Sequence, residues 1–127
     1  MAGAHPPDIV RRTFDFAVQI VKLAARLESH SRTARLLTSQ FLNAGTSIGA
    51  NLEEGQAAES RADFVHKYRI ALKEAREARY WLRLFKAAGV ADQEIWDGLI
   101  DEADQISRVI AQIIVNTQKS AKARHTD

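Results

Sequence analysis

The stretch IVRRTFDFAVQIVKLAARL, residues 9–27, carries apolar residues in two rows at helical spacing. Ile9, Phe16, Ile20, Leu23 and Leu27 form one row, and Val10, Phe14, Ala17, Val21 and Ala24 form a second about 100° away. Arg11, Arg12, Asp15, Gln19, Lys22 and Arg26 occupy the remaining sector. A helix over about 8–28 follows, apolar around more than half its circumference. Pro6 and Pro7, the only prolines, precede the periodic run, and Asp8 suits an N-cap or a first-turn acid.

Working outward, polar residues 29–33 read as a loop, and a second helix spans about 34–54 with Leu36, Leu37, Phe41, Leu42, Ile48 and Leu52. Its middle holds Gly45 and Gly49. Interior glycines cost a helix roughly 1 kcal/mol each against alanine, so close packing is one explanation and a break at Gly45 the other. Gly55 suits a C′ position with positive φ. Ser60 and Asp63 resemble a capping box opening a helix over about 61–88, with core residues Phe64, Tyr68, Ala71, Leu72, Ala75, Leu82 and Phe85 and an end at Gly89. A fourth helix starts at Asp92 and runs to about 118. One of its faces carries Ile95, Leu99, Ile106, Ile110 and Ile113, and another Trp96, Ile100, Ala103 and Ile114. Residues 119–127 read as a frayed tail. Four long helices on short loops predict an all-α, antiparallel up-down-up-down four-helix bundle occupying residues 1–127 as one domain.

Composition agrees. Of 127 residues, 46% are hydrophobic and 27% charged, with a net charge of +2 and no cysteine. A core is affordable, disulfides and thiolate chemistry are excluded, and a reducing cytoplasm is the expected compartment. No apolar run is long enough to span a membrane, and MAGAHPPD lacks the marks of a signal peptide.

Catalytic patterns are missing. Di-iron bundles need paired Glu-x-x-His, and the nearest approach is one Asp63-x-x-His66, read as a cap beside a surface histidine. Ser47 lies between Gly45 and Gly49 but within a helical pattern, with no strand before it. No enzyme, metal or cofactor is expected.

Charge is segregated. Residues 61–86 carry eight bases and three acids, and residues 92–108 six acids and one base. Arg69, Lys73, Arg76 and Arg83 share one sector of the third helix, which the pattern sets close to the core stripe. Two readings follow: these bases are neutralised by acids of the fourth helix, or they form an exposed track for nucleic acid, with the basic tail at Lys119, Lys122 and Arg124 as a second location. The second apolar rows of helices 1 and 4, with Ile70, Trp81 and Leu84 on helix 3, exceed what one bundle core needs and predict self-association.

Residues 37–85, LTSQFLNAGTSIGANLEEGQAAESRADFVHKYRIALKEAREARYWLRLF, resemble the four-helix-bundle family named after proteins encoded in 23S ribosomal RNA intervening sequences. The matching positions are Leu37, Thr38 and Gln40; Ser47, Ile48, Ala50, Asn51, Glu54 and Gly55; Ser60, Asp63 and Phe64; Ile70, Ala71 and Leu72; and Glu77. Gly49 stands where proline is frequent, and the Leu-Lys-Glu-Ala-Arg-Glu run replaces a more serine-rich segment. The resemblance implies a bundle and a ring-like homo-oligomer, a pentamer. It extends to accessory proteins of retroelements, basic pentameric bundles that bind nucleic acid and a reverse transcriptase. By that analogy the partners expected here are RNA, DNA or a nucleic-acid enzyme; the alternative is a structural or protein-interaction module. Within the motif, Asn51 is expected to bond a backbone group in the 55–60 turn, and Glu54 to meet a base of helix 3 or cap its N-terminus; the alternative is that both are solvated.

Overall fold

The computed structural model describes residues 5–91 and 93–126, with side-chain surroundings from 8 to 122 except residue 92. Four helices follow one another: α1 (His5–Leu27), α2 (Arg32–Gln56), α3 (Arg61–Ala87) and α4 (Gln93–Thr126). The described residues contain no strand. The fold is the all-α four-helix bundle expected. α2 packs between α1 and α3, α3 packs on α4, and the α1–α4 side is the most sparsely packed.

Each junction has a local cause. The α1 helix begins at His5, so Pro6 and Pro7 fall inside its first turn, where a missing N–H costs nothing, and Asp8 is a first-turn acid facing the helix's positive end. Ser31, extended at φ −163°, caps α2 by accepting from the Ala34 N–H at 3.0 Å. The α2 helix therefore starts two residues before the position read from sequence, because Arg32 and Thr33 are polar but helical. Ser60 caps α3 as expected, accepting from the Asp63 N–H at 3.0 Å. The α3 helix closes at Gly89, with φ +73°. There the N–H groups of Gly89 and Val90 donate to the carbonyls of Lys86 and Phe85, each at 3.1 Å, in a Schellman arrangement. The Trp96 indole then donates to the Val90 carbonyl at 2.7 Å and ties the turn to α4. The proposed start at Asp92 lies outside the described residues. The α4 helix does not end near 118: it continues to Thr126, so residues 119–126 are helical rather than a frayed tail. Nothing in SAKARHT breaks a helix, since no glycine or proline occurs there.

The core draws on all four helices. It includes Phe16 and Ile20 from α1, Phe41 and Ile48 from α2, Tyr68 and Phe85 from α3, and Trp96 and Ile106 from α4. Phe85 stacks on Trp96 at 5.5 Å and meets Phe41 edge-on at 5.6 Å. Among the described residues the buried polar side chains are Thr13 and Thr38, which each donate to a carbonyl of their own helix, Val10 and Ala34, so neither is left unsatisfied.

The α2 helix is unbroken at Gly45, and its glycines serve close packing. A Cβ on Gly45 would lie 2.7 Å from the Ile20 side chain, and one on Gly49 would lie 3.3 Å from Thr13 Oγ1. Gly55 is not the left-handed C′ residue expected. It is buried within the last turn of α2, and a Cβ there would stand 2.8 Å from the Tyr68 ring. The second apolar row of α4 is mostly absorbed: Trp96, Ala103 and Ile114 are buried and Ile100 half-buried. The second row of α1 is not, leaving Phe14 63% and Val21 50% exposed.

Gly55→Ala is therefore expected to lower unfolding free energy by about 1–3 kcal/mol, because the buried Tyr68 ring cannot yield without strain. Gly98→Ala, with nothing within 4 Å, is expected to be neutral or to stabilise by up to about 1 kcal/mol through helix propensity. Denaturant titration of both variants measures the contrast, and equal effects would contradict the close-packing account.

Candidate nucleic-acid interface

The α3 helix turns its small residues Ala71, Ala75 and Ala78 into the core. At about 100° per residue, Arg69, Lys73, Arg76 and Arg83 fall on the opposite side, and all four are exposed. The sector is thus outward-facing rather than beside the core stripe, which corrects the expectation from sequence. None of the four forms an ion pair among the described residues, although Lys73 acts on the Glu74 carboxyl from a greater distance.

Three acids of α4 are engaged elsewhere. Asp97 pairs with Lys86, and Asp104 lies 3.8 Å from Arg79 Nε and 3.1 Å from Arg108. Glu102 accepts a fork from Arg12 at 2.7 and 2.8 Å, and Arg12 also reaches Gln105 at 2.8 Å. The Glu102 hydrogen bond raises the Arg12 pKa further, against a smaller opposing effect of burial. This fork clamps the sparse α1–α4 side. Neutralisation between α3 and α4 exists, but it uses the Arg79–Lys86 flank and leaves the outward face unpaired.

The acids of α3 are also off that face. Glu74 and Glu77 sit on the flank away from α4, by the same helical geometry. Glu77 accepts from the Trp81 indole at 3.3 Å. The Glu74 carboxyl is pushed up, first by desolvation and then by neighbouring Glu77, with Lys73 opposing. An outward α3 face with cations and no carboxylate is the result. Tyr80 stands in the same sector, 54% exposed, between Arg76 and Arg83. Sequence reasoning sorted aromatics by core stripe and passed over it, although its spacing of four and three residues from those arginines was the available signal.

The motif residues serve the α2–α3 corner. Glu54 Oε1 accepts from Lys67 Nζ at 2.8 Å, the base on α3 that was expected. Gln56 donates to the Tyr68 hydroxyl at 2.6 Å, and Phe64 stacks on Tyr68 at 4.1 Å. Burial raises the Tyr68 pKa, with the Gln56 bond opposing. Asn51 does not reach the 55–60 turn. Its Nδ2 donates at 2.8 Å to the Ser47 carbonyl of its own helix, and Ser47 Oγ donates to the Asn43 carbonyl at 2.6 Å. Residues four apart on a helix are neighbours, and this local bond was the nearer one to make. His66 is exposed beside Arg69. In the basic tail, Lys119 is exposed on the continued α4.

Architecture and charge thus define an all-α bundle with one uncovered basic helix face. The chain belongs to the family of 23S rRNA-intervening sequence proteins, whose model matches residues 7–112. A solved structure of a protein of unknown function from Bacteroides thetaiotaomicron VPI-5482, of the S23 ribosomal protein family, is similar to it. That protein shares 35% identity, with a TM-score of 0.81 over 87% of this chain and 97% of the other. No curated protein matches the chain.

Replacing Asn51 by alanine is expected to change stability by less than about 1 kcal/mol, since the Ser47 carbonyl keeps its helical backbone bond and alanine is the better helix former. A loss above about 2 kcal/mol, the cost of an orphaned buried partner, would contradict this geometry.

Proposed function

We propose that this protein is a non-enzymatic, homo-oligomeric four-helix-bundle scaffold of the cytoplasm that binds RNA or DNA, or an enzyme acting on them, through Arg69, Lys73, Arg76 and Arg83. The observation that carries the reading is the unpaired state of those four cations on one face that holds no carboxylate. Unpaired surface cations in a row favour a polyanion, because each phosphate they neutralise releases counterions. Phosphate contacts carry little base information, so the binding is sequence-tolerant.

Oligomerisation is supported by what α1 leaves uncovered. Phe14, Val18 and Val21 form an exposed row, beside a groove lined by Val10, Ala17, Thr46, Gly49 and Ala50 together with the charged Arg11 and Glu53. The small residues of this groove suit a close helical approach from a second copy, and burying the row removes an apolar strip from water. The resemblance to pentameric bundles favours a ring of five, which would repeat the basic face and add avidity to weak single sites. The rival reading, an interaction module without nucleic acid, keeps the assembly and drops the polyanion.

Light scattering at micromolar concentration is expected to give a mass several times 14.2 kDa, and a monomer would contradict the assembly. Titration of labelled RNA and DNA is expected to show binding that falls roughly fiftyfold per four-cation site between about 50 and 200 mM salt, from a log–log slope near −3 for single strands. Lys73→Glu/Arg76→Glu is expected to abolish most of it without changing the assembly mass. No binding at about 50 mM salt favours the rival reading, and unchanged binding by the intact double variant moves the site off α3.

A further inference from the structure

On the basic face just described, we propose that Tyr80 is a stacking platform that selects unpaired bases, so that the ligand is single-stranded nucleic acid; the inference rests on the polyanion reading above. Tyr80 is not a core residue that happens to show an edge. It lies on the side of α3 opposite Ala71, Ala75 and Ala78, and more than half of it is open to solvent. Arg76 precedes it by four residues and Arg83 follows it by three, so the Cα atoms of two arginines flank that of Tyr80 at about 6 and 4.5 Å along the axis. Lys73 and Arg69 continue the row to a total rise of about 21 Å. The ring is also held: Trp81 contacts it edge-to-face at 5.4 Å and 76°, and the Trp81 indole is anchored on Glu77 at 3.3 Å. A ring fixed in this way loses little freedom when a base stacks on it.

Cations alone do not distinguish a duplex from a single strand, because both present phosphates. An exposed aromatic face does. Inside a duplex each base already stacks on its neighbours and its π-face is unavailable, whereas an unpaired base can lie on tyrosine while its flanking phosphates meet the adjacent cations. Arginine planes on both sides of the ring extend the same surface. The competing occupant is a second copy of this chain, covering Tyr80 with the half-exposed Leu84 beside it. The exposed row of α1 is the stronger candidate for that contact, since Phe14, Val18 and Val21 form an apolar strip and the neighbouring Arg11 is paired with Asp15, whereas the basic face would bring unpaired like charges together around the ring.

The experiment compares wild type, Tyr80→Phe and Tyr80→Ala on a labelled single strand, a duplex of the same sequence, and an abasic single strand. Tyr80→Ala is expected to weaken binding of the single strand roughly five- to a hundredfold, as removal of one stacked aromatic does. Tyr80→Phe retains binding, and the duplex and abasic strand stay within about twofold of wild type. The slope of affinity against salt is unchanged, because no cation is removed. Equal weakening on all three ligands, no weakening on the single strand, or a fall in assembly mass overturns the stacking role. The two failures separate cleanly. Loss on Lys73→Glu/Arg76→Glu with none on Tyr80→Ala leaves the basic face and removes the platform, while absence of binding by wild type removes both.

Discussion

The structure rests on the approach of α2 to the helices on either side of it. Gly45 and Gly49 admit Ile20 and Thr13 of α1, and Gly55 admits the Tyr68 ring of α3. Each contact is closer than a Cβ would allow or just at its limit, so bulk at these positions forces a side chain or a helix to move. The Tyr68 contact then sets the α2–α3 corner, where Phe64 stacks, Gln56 bonds the hydroxyl and Glu54 meets Lys67. The surface pair contributes little by itself. Buried ring packing holds the corner, and the ion pair lies over it.

That register decides which side of α3 remains outside. With Ala71, Ala75 and Ala78 turned inward, the Arg79–Lys86 flank meets the acids of α4 and the row from Arg69 to Arg83 meets none. A chain with a net charge of only +2 thereby separates a paired seam from an unpaired face. The proposed binding function needs that separation and would not follow from composition. The exposed row on α1 lies on a different helix, so the proposed assembly and the proposed ligand binding use different surfaces.

The fold was legible because helical periodicity and caps are local. The first row of α1, the Ser60 cap and the Gly89 end stand where the residues placed them. Two of the misreadings share one cause, a partner distant in sequence, and a third is its reverse. Gly55 near a helix end has the local marks of a C′ residue, and only the Tyr68 ring shows why it is glycine. The second row of α4 looked surplus until the shared core took in Trp96, Ala103 and Ile114. Asn51 was assigned a distant partner and took a local one. The basic sector was recognised as a sector but set too near the core, and Tyr80 within it was missed, because exposure depends on which face the remaining helices cover. The family resemblance implied the bundle, while the unpaired state of the cations follows only from the pairs that the α4 acids make.

Lysine footprinting tests the central claim most directly, since α3 and its surroundings carry lysines in contrasting states. Lys73 stands on the unpaired face, Lys86 is paired with Asp97 on the α4 flank, and Lys22 is exposed on α1. Acylation of the assembled protein, with and without a saturating single-stranded oligonucleotide, is read residue by residue. The account predicts that Lys73 loses reactivity when the oligonucleotide is bound while Lys86 and Lys22 keep theirs. Undiminished reactivity at Lys73, with protection moved to Lys119 or Lys22, would contradict it.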